Sequence, residues 1–302
     1  MVRRFNEADA HRLLQRQGVI FCVIAVFCLA GMPWLNDLSD TRLLPALAVA
    51  IVVLGVPHGA LDPVFARSLY RVRTPFQWLL FIIGYVLLGS LVVLTWWVAP
   101  TIFLAVFLLI SAVHFSGDLA ADLPLAARLC FGCAIIALPT LFHAARVDAL
   151  FSSLAGVEAA TIVSTLLQAI ALPVLLGNCL LIFLLRRNRV AAGEVLCAVL
   201  LAVWMEPLSA FIVYFCALHG PRHILRTASL VGIAPLQLLY REALLPTLAC
   251  LAAVIGAMMI LTDLPASVRT LRIVFVGLAA LTVPHMALVE QLRHRHWRSA
   301  AR

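Results

Sequence analysis

The sequence predicts an all-α, polytopic integral membrane bundle of about ten transmembrane helices, and three observations carry that prediction. Apolar residues make up 64% of the 302 positions and charged residues 12%, with a mean hydropathy of +1.07, which leaves too little polar surface to cover a soluble globule. The apolar residues fall in long runs parted by short polar connections, and helices that satisfy their own backbone groups are the form such runs take in lipid. The formal charge of +8 rests on 22 arginines and no lysine, concentrated between the runs and in the tails, where anionic headgroups would meet it. Because no basic patch interleaved with aromatics accompanies that charge, it argues against nucleic acid as a partner and for membrane lipid.

The elements follow in order. A polar tail, 1–17, precedes a first apolar run over 18–35, which has no small-residue cleavage site behind it and reads as a retained span. A second run covers 43–65 and is closed by Arg67, Arg71 and Arg73; the third, 76–98, carries Trp78 at one end and Trp96 and Trp97 at the other, as interfacial anchors would stand. Pro100 separates it from a fourth over 101–115. A fifth spans 123–142, the stretch 145–157 reads as a loop, and a sixth over 159–185 stops at Arg186, Arg187 and Arg189. The seventh, 190–205, is short and holds Glu194; Glu206-Pro207 turns the chain into the eighth, 208–225. The ninth apolar region, 230–261, carries Arg241-Glu242 and divides most simply into an interfacial piece and a span from 243. The tenth, 270–289, ends in Glu290 and a basic tail over 291–302, so one transmembrane domain accounts for residues 1–302.

Ten spans with a cytoplasmic N-terminus place Arg67, Arg71, Arg73, Arg186, Arg187, Arg189, Arg222, Arg226, Arg293, Arg295 and Arg298 inside, and leave Arg42, Arg146, Arg269 and Arg272 outside. Both termini are then cytoplasmic, in a plasma (inner) membrane. That topology also brings His58, His114, His219, His223 and His285 to one depth, because each stands near the end of an even-numbered span.

An imidazole inside a bilayer needs a partner or a cavity, and five at one depth point to a site. His219 and His223, four residues apart, share a helix face. Such a set suits Fe, Zn, Cu or Ni, and spacing does not choose among them. Asp62 and Asp118, each four residues after a histidine, either accept a hydrogen bond from a non-ligating imidazole nitrogen or sit at the interface paired with Arg222 or Arg226. Glu194 and Glu290 read as interfacial charges. The eight cysteines lie mostly inside apolar runs, and Cys130 and Cys133 form a lone CxxC there, so they read as small hydrophobes.

The segments PHGALD (57–62), SAVHFSGD (111–118) and YFCALHGPRH (214–223), with TVPHMALVE (282–290), resemble the Brp/Blh-type beta-carotene 15,15'-dioxygenases of bacteria and archaea. The resemblance implies cleavage of the central double bond of beta-carotene by O2 to two all-trans-retinals, with Fe(2+) as cofactor. It implies His58, His114, His219 and His223 as the catalytic iron ligands, and His285 near them without necessarily binding. Phe65, Phe107, Phe115, Tyr214 and Phe215 lie close to the histidines and are candidates for lining a tunnel for the polyene.

Other readings predict different features. A transporter with a histidine proton relay calls for an internal repeat with matching broken helices, and none is found between the halves. A two-iron desaturase calls for more clustered histidine boxes than the single pair here. A haem protein would use two axial histidines and leave the others without a role. A non-enzymatic carotenoid- or metal-binding membrane protein shares every feature except turnover.

Overall fold

A computed structural model describes residues 7–32, 48–120 and 122–300, and among these the secondary structure is helical without strands. In chain order the helices are α1 (Glu7–Ala30), α2 (Ala48–Tyr70), α3 (Pro75–Val98), α4 (Pro100–Ser116), α5 (Leu125–Phe142), α6 (Ala144–Ala155), α7 (Val157–Leu184), α8 (Arg189–Trp204), α9 (207–231), α10 (Pro235–Ile260) and α11 (Ala266–Ala300). Seven of them, α1, α2, α3, α5, α7, α10 and α11, are long and apolar enough to cross a membrane, and α4 is a shorter apolar helix. The ten expected spans therefore all correspond to helices, while seven have the length and apolarity of a span. Residues 1–6, with Arg3 and Arg4, and residues 33–47, with Arg42, lie outside the described residues.

Four stretches differ from the sequence expectation. Helix begins at Glu7, inside the segment read as a tail, and α11 runs on to Ala300, because a helix started in lipid extends readily through polar residues of fair propensity. Residues 144–155 form α6 where a loop was expected: Val147, Leu150, Phe151 and Leu154 make one apolar stripe at helical spacing. The ninth region, expected to divide at Arg241, forms one helix, α10, with a π-helical turn over Leu239–Ala243 at the expected division and Glu242 paired with Arg67 of α2.

Two packing devices position the site. Single π-helical turns interrupt α2 at Ile51–Gly55 and α9 at Phe215–His219, a third interrupts α10 at Leu239–Ala243, and such turns re-aim the side chains that follow them. Helices α2 and α9 also approach closely through glycines. A Cβ on Gly220 would stand 3.2 Å from the Leu54 carbonyl oxygen, and one on Gly55 would collide with the Phe215 ring, so only glycine lets these backbones meet. The main core, built from α1, α5, α8 and α9, includes the fully buried Phe21, Phe131, Val195, Leu201 and Leu218. In contrast, α3 contributes no fully buried residue and lies at the edge of the bundle, with Phe81, Tyr85, Val92 and Trp96 on its inward side.

Candidate metal centre

The five histidines expected at one depth meet in space. His58 comes from α2 just after its π turn, His114 from the last turn of α4, His219 and His223 from α9, and His285 from α11 beside the intrahelical Pro284. Neighbouring ring centroids are separated by 4.4 Å for His114 and His219, 4.9 Å for His58 and His219, 4.9 Å for His223 and His285, and 5.2 Å for His114 and His285. One ligand atom each from His58, His114 and His285 fall within 4.8 Å of one another, and His219 Nε2 stands 2.9 Å from His114 Nε2.

The hydrogen bonds around the cluster decide which nitrogen is free in three of the five rings. A carbonyl or ionised carboxylate can only accept, so the ring nitrogen facing one carries the proton. The Nδ1 of His58 donates to the Gly55 carbonyl, that of His219 to Asp118 at 3.0 and 3.2 Å, and that of His285 to Asp62 at 2.6 Å. In all three rings Nε2 is left with its lone pair. The Nε2 atoms of His223 and His285 are buried with no hydrogen-bond partner, and a buried nitrogen without a partner is costly unless something else binds it. Five convergent imidazoles, with the tautomers of His58, His219 and His285 fixed from outside and the Nε2 atoms of His223 and His285 orphaned, fit a divalent transition metal.

Asp62 and Asp118 are both buried, and neither keeps the partner that sequence proximity suggests. Asp62, four residues after His58, serves His285 and accepts a second bond from the Tyr85 hydroxyl at 2.7 Å. Asp118, four residues after His114, serves His219 and accepts from the Tyr214 hydroxyl at 2.6 Å. The interfacial pairing with Arg222 or Arg226 takes another form: both guanidiniums donate to the backbone carbonyl of Asp118, at 3.0 and 2.9 Å. Glu194, read as an interfacial charge, is buried and holds Arg222 in a two-point ion pair. Gln17 completes that group, accepting from Arg222 Nε at 3.2 Å and donating to the Ala217 carbonyl at 2.8 Å.

The aromatic candidates divide into three roles. Phe65 packs on His223 and His285, and Phe215 stacks on His219 at 5.5 Å and meets His58 edge-on at 5.2 Å. Phe115 meets His219 edge-on at 5.0 Å and, with Phe107, lines an apolar cavity that runs outward from the cluster. Tyr214, expected along a tunnel, is instead buried with its hydroxyl spent on Asp118.

Comparison with known proteins gives this geometry a family. The family model of beta-carotene 15,15'-dioxygenase matches residues 49–293, a range that contains all five histidines and both aspartates. The chain belongs to the beta-carotene 15,15'-dioxygenase family. A relative in it, the beta-carotene 15,15'-dioxygenase of the uncultured marine bacterium 66A03, is 31% identical over 261 residues, covering 82% of this chain and 94% of the relative. No solved structure matches. For this member of the dioxygenase family, the residues that sequence reading missed are Tyr85, Gln17, Arg222 as a buried brace, and Glu194 as its partner. Their signals were weak: a lone tyrosine in α3, and a glutamate and an arginine inside otherwise apolar runs, which in a membrane protein mark interior pairing.

Proposed function

We propose that this enzyme cleaves beta-carotene at its central 15,15' double bond with O2, giving two all-trans-retinals, with ferrous iron held among His58, His114, His219 and His223. The single observation that carries the reading is the convergence of these imidazoles, with the Nε2 lone pairs of His58 and His219 fixed inward, inside an apolar membrane bundle of this family. His285 stands in the same group of close ligand atoms and supplies a further nitrogen. The reaction balances without another reductant: one carbon–carbon double bond is broken, two carbonyls form, and both atoms of one O2 are consumed.

Bound ferrous iron would supply the one-electron chemistry that lets dioxygen react with an alkene. The protein supplies position and dryness. Asp62 and Asp118 hold their imidazoles in the ligating tautomer, and Phe65, Phe115 and Phe215 wall the cluster with rings that exclude water. A hydrocarbon offers no group for a hydrogen bond, so shape alone has to place its central bond. The arginine distribution supports a plasma (inner) membrane setting with both termini cytoplasmic, and reporter fusions at the two ends on opposite sides would refute it.

Expression in cells that accumulate beta-carotene tests the activity. Loss of the orange colour with two retinals formed per carotene is the expected result, and unchanged carotene beside inserted, iron-loaded protein would overturn it.

A further inference from the structure

An apolar cavity lies between α4, α5, α6, α9 and α11, and its inner end is Phe115, whose ring packs against His219. Along α4 it extends from Leu104 to Phe115, about 16 Å at the helical rise per residue and comparable with the length of one retinal molecule. Its one polar lining residue is Ser111, whose hydroxyl donates to the Phe107 carbonyl at 2.8 Å. The cavity therefore offers a ligand no free hydrogen-bonding group and suits a hydrocarbon.

Its outer end is closed by α6. Val147, Leu150, Phe151 and Leu154 form one helical face and all line the cavity. Leu150 and Phe151 remain only half-buried although they face the interior, so this stripe is not used up in packing. The helix is pinned where its last-turn carbonyls would otherwise lack partners. Trp96 Nε1 of α3 donates to the Leu154 carbonyl, and Arg272 Nε of α11 donates to the Ser153 carbonyl, each at 2.8 Å. The Arg272 guanidinium also lies 5.8 Å from the centre of the Trp96 ring. Two neighbouring helices thus hold α6 at a fixed distance from the histidines.

We propose that this cavity takes one half of the carotenoid and that α6 is the end wall against which its terminal ring stops. This rests on the reading given under Proposed function, and adds to it that the distance from α6 to the imidazoles selects the bond that is cut. The principal determinant is Phe151: bulk added there pushes the polyene inward, and bulk removed lets a larger ring enter.

The test uses the full-length protein in detergent, with kcat/KM measured for beta-carotene and for an apocarotenal in which one end ring and part of that arm are missing. Phe151→Trp is expected to lower central cleavage of beta-carotene relative to the apocarotenal by roughly tenfold, because the truncated arm still fits. The beta-carotene products should then include apocarotenals of unequal length. Phe151→Ala is expected to let the end ring move further outward, so that the beta-carotene products again include apocarotenals of unequal length, and it carries the test if the tryptophan variant fails to fold. Unchanged substrate ratios and purely central cleavage in Phe151→Ala, beside an active wild type, would overturn the end-wall assignment alone. A wild type that cleaves neither substrate would overturn it together with the cleavage reading.

Discussion

The molecule contains the same three-residue device twice, and the two copies are built into opposite surroundings. In Tyr214–Asp118–His219 the carboxylate sits in the polar interior: Arg222 and Arg226 grip its backbone, and Glu194 and Gln17 hold Arg222. In Tyr85–Asp62–His285 the tyrosine comes from α3 at the edge of the bundle, its hydroxyl lies beside a cavity lined by Phe81, Pro284 and Leu288, and the surrounding packing is apolar. Both devices fix one imidazole tautomer, but only the first is tied into the ion pair that joins α1, α8 and α9. The comparison teaches that one chemical task can be coupled to global stability or kept apart from it, according to what stands behind the carboxylate.

The strongest way to break that contrast is to attack the brace. Arg222→Leu leaves Glu194 charged and buried without its partner, and should cost about 3–5 kcal/mol of stability. A large fall in thermal unfolding temperature in detergent would show it, whereas a near-wild-type melt would mean that the first copy is no more tied to the fold than the second. The aspartates come next. Asp62→Asn should weaken metal binding by roughly 10–100-fold in chelator competition and leave the melt of the metal-free protein little changed, while Asp118→Asn should lower both.

A sharper form of the same test asks whether Asp62 acts through His285. His285→Ala should reduce bound metal, and adding Asp62→Asn to it should reduce it little further, because a carboxylate with no imidazole to orient has lost its role. Additive losses would show that Asp62 works by another route. The smallest effects belong to the hydroxyls. Tyr214→Phe removes a fully enclosed hydrogen bond and should cost about 1 kcal/mol, whereas Tyr85→Phe, at a half-buried residue beside a cavity, should cost less in the same melt.

Much of this was legible in the sequence. The depth argument gathers His58, His114, His219, His223 and His285 from four separate apolar runs, and the structure places those rings together. It succeeds because a membrane removes one spatial dimension, so position along a span translates directly into depth. The lateral arrangement was not legible. Asp62 precedes His285 by 223 residues and follows His58 by four, yet it bonds the distant one, because the helix breaks at residues 60–61, between His58 and Asp62, and takes the carboxylate off the His58 face. Tyr85 gave no sign of its role, since nothing in α3 itself reports which helix lies against it. For α6 the apolar stripe was there to be read, but Arg146, Asp148 and the serines dilute it below what a hydropathy-led reading registers.

The π turns carry a consequence for how this site can vary by insertion and deletion. Each contains one residue more than a regular helical turn would use, and two of them lie at the centre, one ending three residues before His58 and one ending on His219. Deleting one residue from 51–55 would leave every histidine codon intact. It would restore a regular helix and swing the start of α2 by about 100° relative to His58, so that one face or the other must leave its packing. The centre is therefore encoded by chain register as well as by ligand identity: a homologue can retain all five histidines in alignment and still be unable to assemble them.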